Sequence, residues 1–124
     1  MRRSWRLRDG TEFARVRESG RIWRHPLLAL SAAPAAEASR SSRVGITVSR
    51  RVGSAVVRNR VKRRLREIMR QEHPRLVEGW DLVIVVRPAA AAADFAALSA
   101  AALSLLRRAG LIAAFSRQVD RTGL

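Results

Sequence analysis

Between Asp81 and Arg87 the chain runs Leu82-Val83-Ile84-Val85-Val86, five apolar residues without a polar interruption, four of them β-branched. A strand with one face in water would carry a polar residue at every second position, so a run of this kind reads as a strand covered on both faces. Such a strand belongs in the interior of a sheet. The rest of the chain must then supply flanking strands and helices that pack against them.

The remaining periodicities supply both. Asp9-Gly10-Thr11-Glu12 has the form of an N-cap with an acid three positions on, and Phe13 and Val16 then share one face of a short helix ending near Gly20. Leu27 to Ser31, bounded by Pro26 and Pro34, suits a strand, with a weaker extended stretch at Arg21 to Trp23. Ala32 to Ser42 reads as a loop, because its Ala, Ser and Pro content offers nothing large to bury. Arg43 to Ser49 alternates, with Val44, Ile46 and Val48 on one side and Gly45, Thr47 and Ser49 on the other, the pattern of a half-buried strand. From Ser54, an N-cap residue, to about Gln71 the period is helical, with Val57, Val61, Leu65, Ile68 and Met69 on one stripe. Pro74 and Gly79 end that helix. After Pro88, an alanine-rich segment places Phe95, Leu98, Ala102, Leu105 and Leu106 on a last helical stripe, closed by Arg107, Arg108 and Gly110. The order is helix, strands, helix, strand, helix, which predicts an α+β fold (an α/β sandwich) of one sheet with helices packed on it. At 124 residues the chain suits a single domain, with a core over about 6–108 and flexible tails at both ends.

Ala89 to Leu106 is apolar apart from Asp94, Ser99 and Ser104, so a membrane span must be weighed. Alanine contributes little to insertion, and an Asp near a helix centre costs roughly 2.5 to 3.5 kcal/mol, so a packed helix is the reading and no membrane partner is expected. The N-terminus is basic but leads into further charges instead of an apolar segment. It does not read as a secretion signal, which places the protein in the cytoplasm. The absence of cysteine excludes disulfides, thiolate nucleophiles and cysteine-ligated zinc. His25 and His73 lie far apart in sequence and are each followed by proline, so no metal site is expected.

Charge narrows the partner. Lys and Arg number 25 against 10 Asp and Glu, a formal net charge of +15 and a pI near 12.0. Such a surface repels itself unless a polyanion neutralises it. Lys62 is the single lysine. Guanidinium groups pair with phosphate in a fork and stack on bases, which suits RNA, although an arginine- and alanine-rich coding bias gives the same skew. Arg43 to Arg70 concentrates the charge, with ten basic residues and one acid, Glu67. Exposed helix charges are usually only solvated. Here Arg60 with Arg64 and Lys62 with Arg66 stand at i, i+4 and repel by several tenths of a kcal/mol per pair, a pattern that makes sense beside a polyanion. Gly53 and Ser54 add backbone N–H groups at a helix start, a seat for phosphate.

A self-sufficient nuclease would need converging carboxylates or a nucleophile with its base, and the ten acids are dispersed. A helix-turn-helix reading fails because the basic helix is flanked by strands. Charge alone supports a DNA or ribosomal RNA binder equally well, and a membrane-surface protein remains as a third rival.

The run Arg50-Arg51-Val52-Gly53-Ser54-Ala55-Val56-Val57-Arg58-Asn59-Arg60-Val61-Lys62-Arg63 closely resembles the signature of bacterial ribonuclease P proteins. Arg43 to Ser49 is similar to that family's preceding strand, Arg6-Leu7 with Phe13 and Val16 to its N-terminal helix, and Asp81 to Arg87 to the strand after the signature. The resemblance spans about Arg6 to Leu106. It implies a mixed four-stranded sheet in the order α-β-β-β-α-β-α with a left-handed βαβ crossover, although most crossovers are right-handed. It further implies an RNA-binding subunit that assists a catalytic RNA in removing the 5′ leader from precursor tRNA, with Mg²⁺ required by the RNA subunit, no cofactor on the protein, and no DNA partner.

By the same resemblance, Arg50, Arg51, Ser54, Arg58, Asn59, Arg60, Lys62, Arg63, Arg64 and Arg66 contact the RNA subunit. Phe13, Val16, Arg17, Ser31 and Arg43 form the cleft for the leader. Arg17 and Ser31 stand where the family usually has aromatic rings, and Ser54 where it usually has Asn. The cleft is therefore less aromatic, and stacking worth roughly 1 to 3 kcal/mol per base must be offset by arginine. Asp81 reads as a strand-edge residue, and Trp5, Trp23 and Trp80 as packing residues.

Overall fold

The apolar run lies inside β4 (Trp80–Val86), which pairs antiparallel with β2 (Leu28–Pro34) on one side and parallel with β3 (Arg43–Val48) on the other. β1 (Arg21–Arg24) continues the sheet beyond β2, giving the strand order β1-β2-β4-β3. This computed structural model describes residues 3–37 and 40–112. The expected flexible tails fall largely on residues outside that range.

Register sorts the strand side chains into two faces. Leu28, Leu30 and Ala32 of β2, Leu82, Ile84 and Val86 of β4, and Val44, Ile46 and Val48 of β3 share one of them. Against it pack α2 (Ala55–Glu72), through Val61, Leu65, Ile68 and Met69, and α3 (Phe95–Arg108), through Leu98, Ala102, Leu105 and Leu106. Each fully buried aliphatic side chain stabilises the fold by about 1.5 to 3 kcal/mol. α1 (Gly10–Ser19) lies on the opposite face, where Leu7, Val16, Ala33 and Val83 form a second cluster with Phe13 and Val85 at its margin.

Two of the helix caps, Asp9 and Ser54, are those the sequence marks, whereas Asp94, read as lying near a helix centre, instead caps the start of α3. Thr11 N donates to Asp9 Oδ1 at 2.8 Å, Val57 N to Ser54 Oγ at 3.3 Å and Ala97 N to Asp94 Oδ1 at 2.8 Å. Each is worth about 1 kcal/mol.

Three expectations are corrected. β2 continues through Ala32, Ala33 and Pro34 instead of ending at Ser31, so the loop begins at Ala35. Small side chains are what this strand needs: Ala33 sits beneath Val16, and at the end of α1 a Cβ on Gly20 would meet the Ala32 carbonyl oxygen at 2.6 Å. β3 is not simply half-buried, because Phe13 covers Gly45, where a Cβ would lie 2.3 Å from the ring. Phe95 belongs to the α3 stripe by spacing but is 38% exposed, since it stands at the helix start ahead of the buried stretch.

Candidate nucleic-acid interface

Because the apolar stripe of α2 is fixed against the sheet, its cations divide into two flanks. On one, Arg60 Nη2 donates to the Ala91 carbonyl at 3.0 Å and Arg64 Nη1 to the Ala93 carbonyl at 3.0 Å, tying the helix to the 3₁₀ turn Pro88–Ala92. Arg58 Nε donates to the Gly53 carbonyl at 3.1 Å, bracing the turn ahead of the helix, where Gly53 has φ of 152°. These three arginines are half-buried, and each gives one N–H to the protein's own backbone. The repulsion expected between Arg60 and Arg64 is offset by two carbonyls.

The other flank is open. Asn59 and Arg63 are exposed and Lys62 and Arg66 half-buried, and together with Val56 they line a shallow groove of about 430 Å³. Arg50 and Arg51, on the 3₁₀ turn Arg50–Val52, and Ser54 are exposed near the helix start. Further along, Arg70 Nε donates to Glu67 Oε1 at 3.0 Å. That guanidinium holds the Glu67 carboxyl below the usual carboxylate range and is itself raised by the pairing.

The five cleft residues separate. Val16 is wholly buried on the underside of α1 and Ser31, in β2, is 3% exposed, so neither offers contact surface. Arg43 is held in place: its Nε donates to Asp81 Oδ1 at 3.1 Å, and its Nη2 to Asp81 Oδ2 at 3.0 Å and to Glu12 Oε2 at 2.7 Å. The Asp81 hydrogen bonds, against desolvation and with help from Glu12, keep that guanidinium above its ordinary pKa. Asp81 is no edge residue. Fully buried, it also accepts from Arg15, and so joins α1 to the first residues of β3 and β4. Glu12 and Arg15 take one flank of α1; by helical spacing Phe13 and Arg17 take the other, facing the far halves of the strands. There Thr47, Val85 and Ala29 are only half-buried, and Phe13 is half-buried while Arg17 is exposed.

The Arg15–Asp81–Arg43–Glu12 group was not legible as a unit, since its members are spread from residue 12 to 81. Arg6 and Arg8 were missed as well. Their positions follow from Leu7 N donating to the Val44 carbonyl at 3.1 Å and from Trp5 stacking on His73 at 3.5 Å, which lay the N-terminal segment along β3. The alternation Arg6-Leu7-Arg8 was the available signal. Among the described residues no group of three or more His, Asp or Glu is placed to hold a metal ion, and no helix is long and apolar enough to cross a membrane.

A mixed sheet backed by two helices, with an acid-poor arginine flank on one of them, defines an α+β nucleic-acid-binding protein. The family profile described as Ribonuclease P matches residues 1–110, and the chain belongs to that family. It is 45% identical over 113 residues to the ribonuclease P protein component of Roseiflexus castenholzii, covering 90% of this chain and 91% of that protein. With the corresponding protein of Chloroflexus aurantiacus it shares 47% over 115 residues, covering 92% and 84%. Among solved structures, the RNase P protein from Thermotoga maritima superposes with a TM-score of 0.74 at 29% identity, covering 83% of this chain and 96% of that one. The Staphylococcus aureus RNase P protein, at 22% identity, supports the fold with a TM-score of 0.81 over 90% and 100% of the two chains. As a family member, the protein acts as an RNA-binding component of the tRNA 5′-maturation endoribonuclease, assisting a catalytic RNA in removing the 5′ leader from precursor tRNA.

Proposed function

We propose that the protein divides this task between two surfaces. The RNA subunit binds the open flank of α2, through Asn59, Lys62, Arg63 and Arg66, together with Arg50, Arg51 and Ser54 at the turn. The leader follows the open half of the sheet beside α1, past Phe13 and Arg17, over Thr47 and Val85. The observation that carries the first assignment is the division of α2: Arg60 and Arg64 bond to backbone carbonyls on one flank, while on the other Lys62, Arg63 and Arg66 line a groove with no acid in it. Phosphate contacts dominate binding to a polyanion, and that flank offers them. The second assignment rests on α1, whose Glu12 and Arg15 flank is tied down by Asp81 and Arg43 while its Phe13 and Arg17 flank borders half-buried sheet. Val16, Ser31 and Arg43 then act as support beneath and beside the leader path. Phosphodiester hydrolysis takes place on the RNA subunit with its Mg²⁺, in the cytoplasm. Reconstitution tests the reading: the protein added to a bacterial ribonuclease P RNA at low Mg²⁺ should rescue precursor tRNA cleavage, and rigorously RNA-free protein should cut nothing. Leader removal by protein alone, or no rescue, refutes it.

A further inference from the structure

The N-terminal segment lies beside β3 against an electrostatic cost. It brings Arg6 and Arg8 to a cleft whose α2 wall carries Lys62 and Arg66, and none of the residues lining that cleft is acidic, so four like charges face one space. Arg6 adds a second cost, since its Nε is buried and, among the described residues, has no hydrogen-bond acceptor. Both costs favour a segment that swings out into water, so other contacts must hold it down. Leu7 does so on one side of Arg6, buried in the cluster under α1 with its N–H bonded to the Val44 carbonyl at 3.1 Å. Trp5 does so on the other: its ring stacks on His73, with centroids 3.5 Å apart and planes 9° from parallel. His73 is itself fixed by the fold. It follows α2 directly, is buried, and places Nε2 2.7 Å from the Ser42 carbonyl oxygen. Ser42 Oγ in turn donates to the Val77 carbonyl at 2.6 Å and accepts from Trp80 N at 3.0 Å, so the end of α2, the β2–β3 loop and the start of β4 meet under the ring on which Trp5 rests.

We infer that Trp5 and His73 are a positioning pair, a latch that keeps the N-terminal segment docked against the repulsion of its own arginines, so that the RNA subunit meets a surface already assembled. Neither residue touches RNA in this role. The inference rests on the proposed assignment of the open flank of α2 to the RNA subunit, because Lys62 and Arg66 belong both to that flank and to the space the segment closes. A surface ordered beforehand spares association the loss of freedom that ordering entails. A stacked aromatic pair shifts a docking equilibrium by roughly 2- to 12-fold, and a partner that requires the docked segment loses affinity in proportion to the fraction undocked.

The test uses the full-length protein and a bacterial ribonuclease P RNA, with affinity read by filter binding at about 50 and 200 mM salt. W5A should bind roughly 2- to 12-fold more weakly at the lower salt and lose less at the higher, where the repulsion that the latch opposes is screened. W5F, which keeps a ring over His73, should recover most of the loss. In an R6Q/R8Q background W5A should cost less than about twofold, because the side chains it positions are then gone. A W5A protein that binds normally, a loss equal at both salts, a W5F no better than W5A, or a loss that simply adds to that of R6Q/R8Q overturns the inference. So does a W5A melting temperature lowered by more than about 10 °C, which would make Trp5 a core residue. Should R63Q weaken binding while W5A does not, the open flank of α2 stands and the latch alone falls; an R63Q protein that binds normally removes the flank assignment and the latch with it.

Discussion

Replacing Asp81 by Asn should destabilise the protein by about 3 kcal/mol. The carboxylate is fully buried and accepts from Arg15 and twice from Arg43, at 3.1 and 3.0 Å. An amide keeps one acceptor oxygen and turns an NH₂ toward guanidinium donors, so at least one charged donor loses its partner. Removing one member of a buried ion pair typically costs about 3 to 5 kcal/mol. The lower end applies here, because the Arg15 side chain is 41% exposed and can turn to water, and Arg43 keeps Glu12 at 2.7 Å. For a domain of this size 1 kcal/mol moves the melting temperature by about 3 to 5 °C, so Asp81→Asn should melt about 10 to 15 °C lower by circular dichroism. Because the network joins α1 to the sheet, Asp81→Asn and Arg43→Met should also couple, with a double-mutant interaction energy between about 0.5 and 3 kcal/mol. A fall below about 4 °C, or additive single effects, would refute the view that Asp81 holds α1 in place.

Binding to the RNA subunit should weaken by roughly 10³ to 10⁵ between 50 and 200 mM salt if about 6 to 10 phosphates are engaged, and a flat response in filter binding would count against a phosphate-dominated face. Arg63→Ala should lower the salt slope by about one unit, whereas Arg60→Ala should leave the slope nearly unchanged and instead lower the melting temperature, since its guanidinium bonds the Ala91 carbonyl. Arg17→Ala should weaken holoenzyme binding of precursor tRNA more than of mature tRNA, and more at low salt than at high, with Arg17→Phe recovering part of the loss by stacking; equal losses for both tRNAs would remove the leader from α1. The Glu67 carboxyl is lowered by Arg70, so the pair's contribution is complete above the ordinary glutamate pKa and disappears as pH falls through the lowered value. Acid melts of Glu67→Gln and the unmodified protein should therefore converge at low pH, and divergence there would contradict the pairing.

What the sequence made legible was whatever depends on neighbours along the chain. The β4 run, the α2 stripe and the caps at Asp9 and Ser54 are local patterns, and their elements form where those patterns lie. The end of β2 was misjudged because Ala32 to Pro34 has no hydrophobic signal of its own; its strand character comes from pairing with β4 and from the room α1 requires. Site residues divide the same way. The motif marks α2 as basic, but it does not tell Arg60 and Arg64, which reach carbonyls about thirty residues away, from Lys62 and Arg63 on the other flank. Val16 and Ser31 carry no mark of their burial, because a valine and a serine look alike in a floor and on a rim until the helix is set down on the sheet.

The tethers from Arg60 and Arg64 to the backbone beyond β4 separate two roles that a basic helix is usually assumed to combine. Their guanidiniums are already partly stripped of water and fixed in direction before any RNA arrives. The surface proposed to meet the RNA is therefore rigid at its base, and on that proposal little ordering of the helix has to accompany association. A lysine at either position would keep the formal charge yet give up the planar fork and its fixed direction, loosening a joint between helix and turn that no measure of net charge would register.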